Sequence, residues 1–233
     1  MNINIKFNNG LDTCDPQNTP VLIVGQLKNL NQVNYDTIKV KLQPRVTEEI
    51  YSYALSNLHP TPIDSVNLHL NCATLAALTG KSSRHNAPSR PHTLTKIVKS
   101  LVTGNDEYIV VVCEEDDVFP SGCAIARAFP LYSRKTHRSS LRGALNSITV
   151  IVEFLIVGEN KKPTPLSQDV ATTLQTVTAG IRLAARLVDT PCNEMNVTNF
   201  LKVSFNQFCL LLSTNLMLYS YNNNSCILLL QYT

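Results

Sequence analysis

The chain has 233 residues, 44% of them hydrophobic and 16% charged, with a formal net charge of +3 and a pI near 8.4. That length holds one large or two small domains with a substantial core, and so mild a basic excess argues against a nucleic-acid-binding domain, where pI generally exceeds ~9. Seven cysteines, an odd number without any Cys-x-x-Cys, fit reduced thiols in a cytoplasmic protein better than a disulfide framework.

Taken in order, the opening MNINIKFNNG alternates Ile3, Ile5 and Phe7 with polar residues. It predicts a first strand and lacks the basic-then-apolar layout of a signal peptide. Pro20 to Leu27 (PVLIVGQL) predicts a second strand, bounded by an Asn-rich stretch. Thr47-Glu48-Glu49 opens a helix carrying Ile50, Tyr53, Ala54 and Leu58, with acids in the first turn where the helix dipole favours them. His59-Pro60-Thr61-Pro62 ends it. Val66 to Leu70 alternates as a half-buried strand, Ala73 to Leu78 is a short Ala/Leu segment, and Gly80 to Ser89 is a polar loop.

His92 to Val102 predicts a helix with Leu94, Ile97, Val98 and Leu101 on one side. Tyr108 to Cys113 (YIVVVC) is the most strand-like run and reads as an interior strand buried on both faces. A small-residue helix from Phe119 to Phe129 follows the acidic turn Glu114 to Asp117, and Ser133 to Ser140 is a basic loop. Ile148 to Val157 is a second interior strand, and Lys161 to Pro165 begins a linker. From there Val170, Leu174, Val177, Ile181, Ala184 and Val188 recur at steps of four and three, one apolar stripe along a long helix. Ser167 or Asp169 caps its start, and Pro191 stops it. Strands alternating with helices predict a layered α/β domain with a mainly parallel or mixed sheet.

The candidate chemistry is sparse. Leu78-Thr79-Gly80-Lys81-Ser82 ends like a phosphate-binding loop, but Leu75 stands where the first glycine is needed. Four adjacent acids, Glu114 to Asp117, carry ligands for a hard cation, yet neighbours in sequence point apart and helix-start acids are the simpler account. Arg84, His85, Asn86 and His92 lack the His-Glu-x-x-His spacing of a zinc site. Arg134, Lys135, His137, Arg138 and Arg142 form a basic patch without interleaved aromatics, which reads as a solvated loop. No Gly-x-Ser-x-Gly elbow occurs, and Cys192 has no nearby histidine. Asn193 and Asn196 read as residues that tie down the turn after the long helix. The expectation is no catalytic, cofactor-binding or metal residue on this chain.

Residues 203–233 contain no charged residue, where a charged fraction of even 16% would place about five. Their apolar runs fall short of the ~20 residues of a membrane helix, so no membrane span is expected. Lys202-Val203-Ser204 can be encoded AAG GTA AGT, a splice-donor consensus. The expectation is an aberrant, poorly packed and aggregation-prone tail translated from an unspliced intron.

Several separate stretches resemble one family: RLAARLVDTPCNEMN (Arg182 to Asn196), LQPRVTEEIYSYAL (Leu42 to Leu55), SSRHNAPS (Ser82 to Ser89) and ARAFPLYS (Ala126 to Ser133). Over roughly residues 1–202 the chain is similar to the aminopeptidase-like branch of the two-metal leucyl aminopeptidases. That resemblance implies a macro-domain-like α/β amino-terminal domain followed by a larger catalytic domain. The latter would hold two divalent metal ions, zinc or manganese, on a lysine and several carboxylates, and release amino-terminal residues from peptides. It also implies a homo-oligomer, a hexamer in the family. The Asn-Thr-Asp-Ala-Glu-Gly-Arg metal motif is not in this sequence. The expected organisation is an α/β domain over 1–160, a linker helix and the start of the catalytic domain over 161–202, and the aberrant tail over 203–233. The chain is then expected to be a truncated, inactive member with no cofactor of its own and no nucleic-acid partner. The alternative is a stand-alone α/β binding or oligomerisation module, which a glycine-rich phosphate loop after a strand would distinguish.

Overall fold

The computed structural model of the protein describes residues 3–85, 87–132, 147–158 and 161–205. Among them, strands β1 (Ile3–Asn8), β2 (Val21–Gln26), β3 (Ile63–His69), β4 (Ala73–Leu78), β5 (Glu107–Cys113), β6 (Ile148–Gly158) and β7 (Lys161–Pro165) form one sheet. The order is β1-β6-β5-β2-β4-β3, with β7 on β6 beyond β1. β1, β6, β5, β2 and β4 are parallel, and β3 and β7 are antiparallel to their neighbours. The two strongest apolar runs of the sequence, β5 and β6, are interior strands, as their two-sided hydrophobicity requires.

Helices α1 (Leu27–Leu30), α2 (Tyr35–Leu42) and α3 (Glu48–Ser56) cover one face of the sheet. Leu30, Ile38, Leu42, Tyr51 and Ala54 pack there against Val21, Ile23, Leu75, Val110 and Leu155. Helices α4 (Pro91–Leu101), α5 (Glu115–Ala128) and α6 (Gln168–Asp189) cover the other. Leu94, Ile97, Val98, Ile125 and Leu174 pack there against Leu22, Val24, Val111 and Val152. The layered α/β architecture is therefore as predicted.

Several local readings change. The Ala/Leu segment is β4, with all six positions buried. Two-sided burial between helix layers overrides the weak strand preference of alanine. Residues 27–42, predicted only as Asn-rich, form α1 and α2. In α3 the covered side chains are Tyr51 and Ala54, whereas Ile50 and Tyr53 are exposed. Both sets have helical spacing, and the aromatic contact of Tyr51 with Tyr35, centroids 6.0 Å apart, goes with the first. α5 begins at Glu115, earlier than the predicted Phe119, so Glu115, Asp116 and Asp117 open the helix, as the simpler reading of these acids has it. Lys161–Pro165 is a strand, not a linker. In α6, Ser167 Oγ accepts from Val170 N at 3.4 Å, so serine is the cap. The buried face of α6 is Ala171, Leu174, Thr178 and Arg182, while Val170 and Val188 of the predicted stripe are exposed.

The chain divides into two compact units, Met1–Arg186 and Leu187–Thr233. In the second, a turn starting at Pro191 leads into a helical run over 197–205. Asn196 Oδ1 does bond to backbone as expected, but it accepts from Asn199 N at 3.0 Å and caps the following run rather than tying back the turn. The return bond to Glu194 O comes from Asn199 Nδ2 rather than from Asn193. The basic patch Arg134, Lys135, His137, Arg138 and Arg142, Asn86, and tail residues 206–233 lie outside the described residues. Among the described residues no helix is long and apolar enough to cross a membrane.

Candidate functional site

In an open parallel sheet, ligands are taken at the carboxyl ends of strands where successive connections depart in opposite directions. Here that point lies between β2 and β5. The chain leaving β2 proceeds to β4 on one side, and the chain leaving β5 passes through α5 to β6 on the other. Gly25, Gln26, Leu78, Ser89, Cys113, Asp117 and Ser121 line the crevice, which has about 10 Å³ of room. It is narrow because β2 and β5 approach closely at Gly25, where a Cβ would stand 2.5 Å from Val112 O. Gln26 Nε2 donates to Pro88 O at 2.7 Å and fastens the 79–90 segment across it.

The phosphate-loop reading fails on the same ground. Lys81 N donates to Thr79 Oγ1 at 3.2 Å, and Arg90 donates to Lys81 O at 3.1 Å, so Gly80-Lys81-Ser82 is a turn tied to its own segment. The α5 amino terminus carries Glu115, Asp116 and Asp117, which already answer its dipole. Burial and the neighbouring Glu114 push the Asp117 carboxyl above its usual range. Glu114 is paired with Lys28 at the surface. Burial also raises the Cys113 thiol strongly, leaving it a neutral side chain rather than a nucleophile.

A second polar cluster sits under α2, on the opposite sheet face. Lys41 Nζ and Glu153 Oε2 are 2.6 Å apart, with both side chains fully buried. The ammonium also lies 3.5 Å from the centroid of the Tyr108 ring. Glu153 Oε1 accepts from Asp12 N at 3.0 Å and from Asn8 Nδ2 at 3.5 Å. The Cys14 thiol donates to Lys41 O at 3.8 Å, and burial pushes it up to about 11. Burial likewise raises the Glu153 carboxyl, against the pull of Lys41. Sequence reasoning missed this pair, although one signal was there: a lone glutamate inside ITVIVEFLIV needs a partner if its strand is buried. With each charge spent on the other and water excluded, the cluster clamps the 8–15 segment to the sheet.

The acids and histidines singled out in the sequence do not converge. Among the described residues no group of three or more His, Cys, Asp or Glu could hold a metal ion. Glu48 and Glu49 open α3, and Glu115, Asp116 and Asp117 open α5. Lys41 with Glu153 has the lysine and carboxylate chemistry of a metal-binding set, but the pair is sealed and self-neutralised. The described residues therefore do not fit a two-metal centre.

Comparison with known proteins places this arrangement. Residues 19–138 match the family described as M17 aminopeptidase N-terminal domain 2. Probable aminopeptidase NPEPL1 of Homo sapiens is 48% identical over 202 residues, covering 86% of this chain and 38% of that protein. Leucine aminopeptidase 1 of Caenorhabditis elegans is 29% identical over 195 residues, covering 79% of this chain and 36% of that protein. The solved structure of the leucine aminopeptidase LAP1 of Caenorhabditis elegans superimposes with a TM-score of 0.70 at 23% identity, over 87% of this chain and 40% of that one. Leucyl aminopeptidase from Leishmania major, in complex with actinonin, gives a TM-score of 0.61 at 17% identity. The two structures share the fold, and the chain spans well under half the length of each curated relative it matches.

Proposed function

The chain belongs to the M17 aminopeptidase family, and we propose that it forms the amino-terminal, non-catalytic part of a metal-dependent peptidase that releases amino-terminal residues from peptides. The observation that carries this reading is the match of residues 19–138 to the amino-terminal domain of the family, with relatives that continue far beyond the aligned part. The scattered acids of α3 and α5 and the sealed Lys41–Glu153 pair support the view that the metals belong to another part of the enzyme. Exposed Val197, Leu201 and Phe205 on the 197–205 helix are apolar surface of the kind a following domain covers. In this proposal residues 1–160 are the α/β domain, 161–202 the linking helix and the start of the catalytic domain, and 203–233 an aberrant tail. The enzyme assembles as a homo-oligomer and carries two zinc or manganese ions, none of them on the 233 residues here.

The test is direct. The purified 233-residue chain, supplied with manganese or zinc, releases no amino acid from a leucyl amide substrate. A longer chain with the family's metal motif restored after Lys202 binds metal and gains turnover. Metal-dependent hydrolysis by the 233-residue chain, with contaminating peptidases excluded, overturns the reading. Sequencing the transcript across codon 202 tests the tail separately, because a spliced message that encodes 203–233 contradicts the intron origin.

A further inference from the structure

The chain leaves β1 through Asn8-Asn9-Gly10, and an Asn-Gly pair occurs nowhere else in the 233 residues. We propose that Asn9 is a self-modifying site: in the folded chain it loses its side-chain amide through a cyclic imide formed with Gly10, and the isoaspartate that results loosens the hold of Glu153 on the 8–15 segment.

The step balances with water alone. Gly10 N attacks Asn9 Cγ, a new N–C bond forms, the Cγ–Nδ2 bond breaks, and ammonia leaves with the Gly10 amide proton. Water then opens the imide. Addition at Cγ gives aspartate, whereas addition at the main-chain carbonyl of residue 9 gives isoaspartate, with the backbone running through the side chain.

The local structure suits ring closure. Asn9 is exposed, and with Gly10 it forms a bend between β1 and an irregular run over 11–15, so neither residue is fixed by a ladder or a helix. Among the described residues Gly10 N donates to no backbone acceptor outside the regular elements. Glycine has no Cβ to shield its nitrogen, and its backbone turns freely. Even a Cβ placed there would meet nothing within 4 Å, so no neighbour blocks the turn. Other asparagines differ on these points. Thr19 N, which would attack Asn18, donates to Asp15 O at 3.0 Å and belongs to a β-branched residue. Asn105 is exposed, but Asp106 follows it and its carboxylate accepts from Thr149 N at 2.7 Å. Asn29 is fully buried.

The consequence follows from the anchors on either side of the bend. Asn8 Nδ2 donates to Asp12 Oδ2 at 2.6 Å, and Glu153 Oε1 accepts from Asp12 N at 3.0 Å. Isoaspartate adds one carbon to the main chain inside that span. It also sets a new carboxylate within three residues of Asp12, where like charges repel. Both effects act against the Asp12–Glu153 bond.

The experiment ages the purified 233-residue chain at neutral pH and body temperature, folded and in urea, and follows it by peptide mapping with isoaspartate detection. The expected result in the folded chain is steady conversion of Asn9 to aspartate and isoaspartate, with ammonia released in equal amount, while Asn105 stays intact. Gly10→Ala, for which there is room, should lose the conversion down to the Asn105 level. Should that variant fail to fold, Asn9→Gln serves instead, because its longer side chain has to close a larger ring. Hydrogen exchange at the Asp12 amide should be faster in the aged wild type than in the fresh one, and unchanged by ageing in Asn9→Gln. Conversion of Asn9 in urea alone, equal conversion at Asn9 and Asn105, undiminished conversion in Gly10→Ala or Asn9→Gln, or unchanged Asp12 exchange after conversion overturns the proposal.

Discussion

Lys41 Nζ meets Glu153 Oε2 at 2.6 Å with neither side chain reached by solvent. The pair joins α2 to β6 across the sheet face, and the Asp12 amide attaches the loop after β1 to the same carboxylate. Burying two charges costs more than their attraction returns unless the geometry and extra hydrogen bonds are good. Glu153 Oε1 takes a backbone donor and Lys41 lies over the Tyr108 ring, but Lys41 Nζ and Glu153 Oε2 meet as an ion contact without completing a hydrogen bond, so the pair holds its charges with donors left unfilled.

Removing one partner leaves the other charged and stranded. Lys41→Met should cost about 3–5 kcal/mol of stability in urea denaturation. Lys41→Met combined with Glu153→Gln should recover most of that loss, since no buried charge is left. A single variant that loses under about 1 kcal/mol, the worth of an exposed pair, would show that the cluster carries little.

Glu107 opens β5 with one carboxylate oxygen accepting from Thr103 N at 3.2 Å and the other without a partner. Burial pushes its pKa from 4.5 to about 7. The folded state therefore keeps this proton where the unfolded chain has released it. Its stabilising effect is full below about 4.5 and is lost as pH rises to about 7. Glu107→Gln should remove that decline and exceed the wild type at pH 8 by up to about 3 kcal/mol. The readout is the difference in urea midpoint between the two proteins across pH. A difference that does not change with pH would mean that Glu107 titrates normally.

At Gly25, a Cβ would lie 2.5 Å from Val112 O and 3.0 Å from Val112 Cβ. Backbone has to move to relieve that contact, so Gly25→Ala should destabilise by about 1–3 kcal/mol. Thermal unfolding checks it, and an unchanged midpoint would mean that β2 and β5 separate freely at the crevice.

Which features were readable in the sequence follows from how local they are. β5, β6 and α4 were legible because their apolar patterns are long and have one reading. The faces of α3 and α6 were not, because two sets of residues share helical spacing and tertiary contacts choose between them. Arg182 shows why: its guanidinium reaches the carbonyls of Phe129 and Ile3, so a charged residue occupies a buried position that no hydrophobic stripe marks. Lys41 and Glu153 lie far apart in the chain, and only the sheet and α2 together bring them into contact. At the turn after α6, the side-chain-to-backbone bonding of Asn196 was legible from its residue type, whereas the following helical run that it caps was not.

β1 is a terminal strand of the sheet, and its outward backbone groups need partners, because a bare edge invites other strands. The side chains of α6 provide them. Gln175 Nε2 donates to Ile5 O at 2.8 Å, Phe7 N donates to Gln175 Oε1 at 3.2 Å, and Arg182 donates to Ile3 O at 2.6 Å. A glutamine amide has the donor and acceptor of a peptide group, so Gln175 pairs with the edge as a neighbouring strand would. Gln175→Glu keeps the acceptor for Phe7 N and loses the donor to Ile5 O, whereas Gln175→Leu loses both. At roughly 1 kcal/mol per net hydrogen bond, stability should fall in the order wild type, Glu, Leu, with steps of about that size. Hydrogen exchange discriminates further, since the Phe7 amide should exchange faster in Gln175→Leu while staying protected in Gln175→Glu. Equal Phe7 exchange in all three proteins would mean that the edge is covered by packing of α6 alone and not by the amide of Gln175.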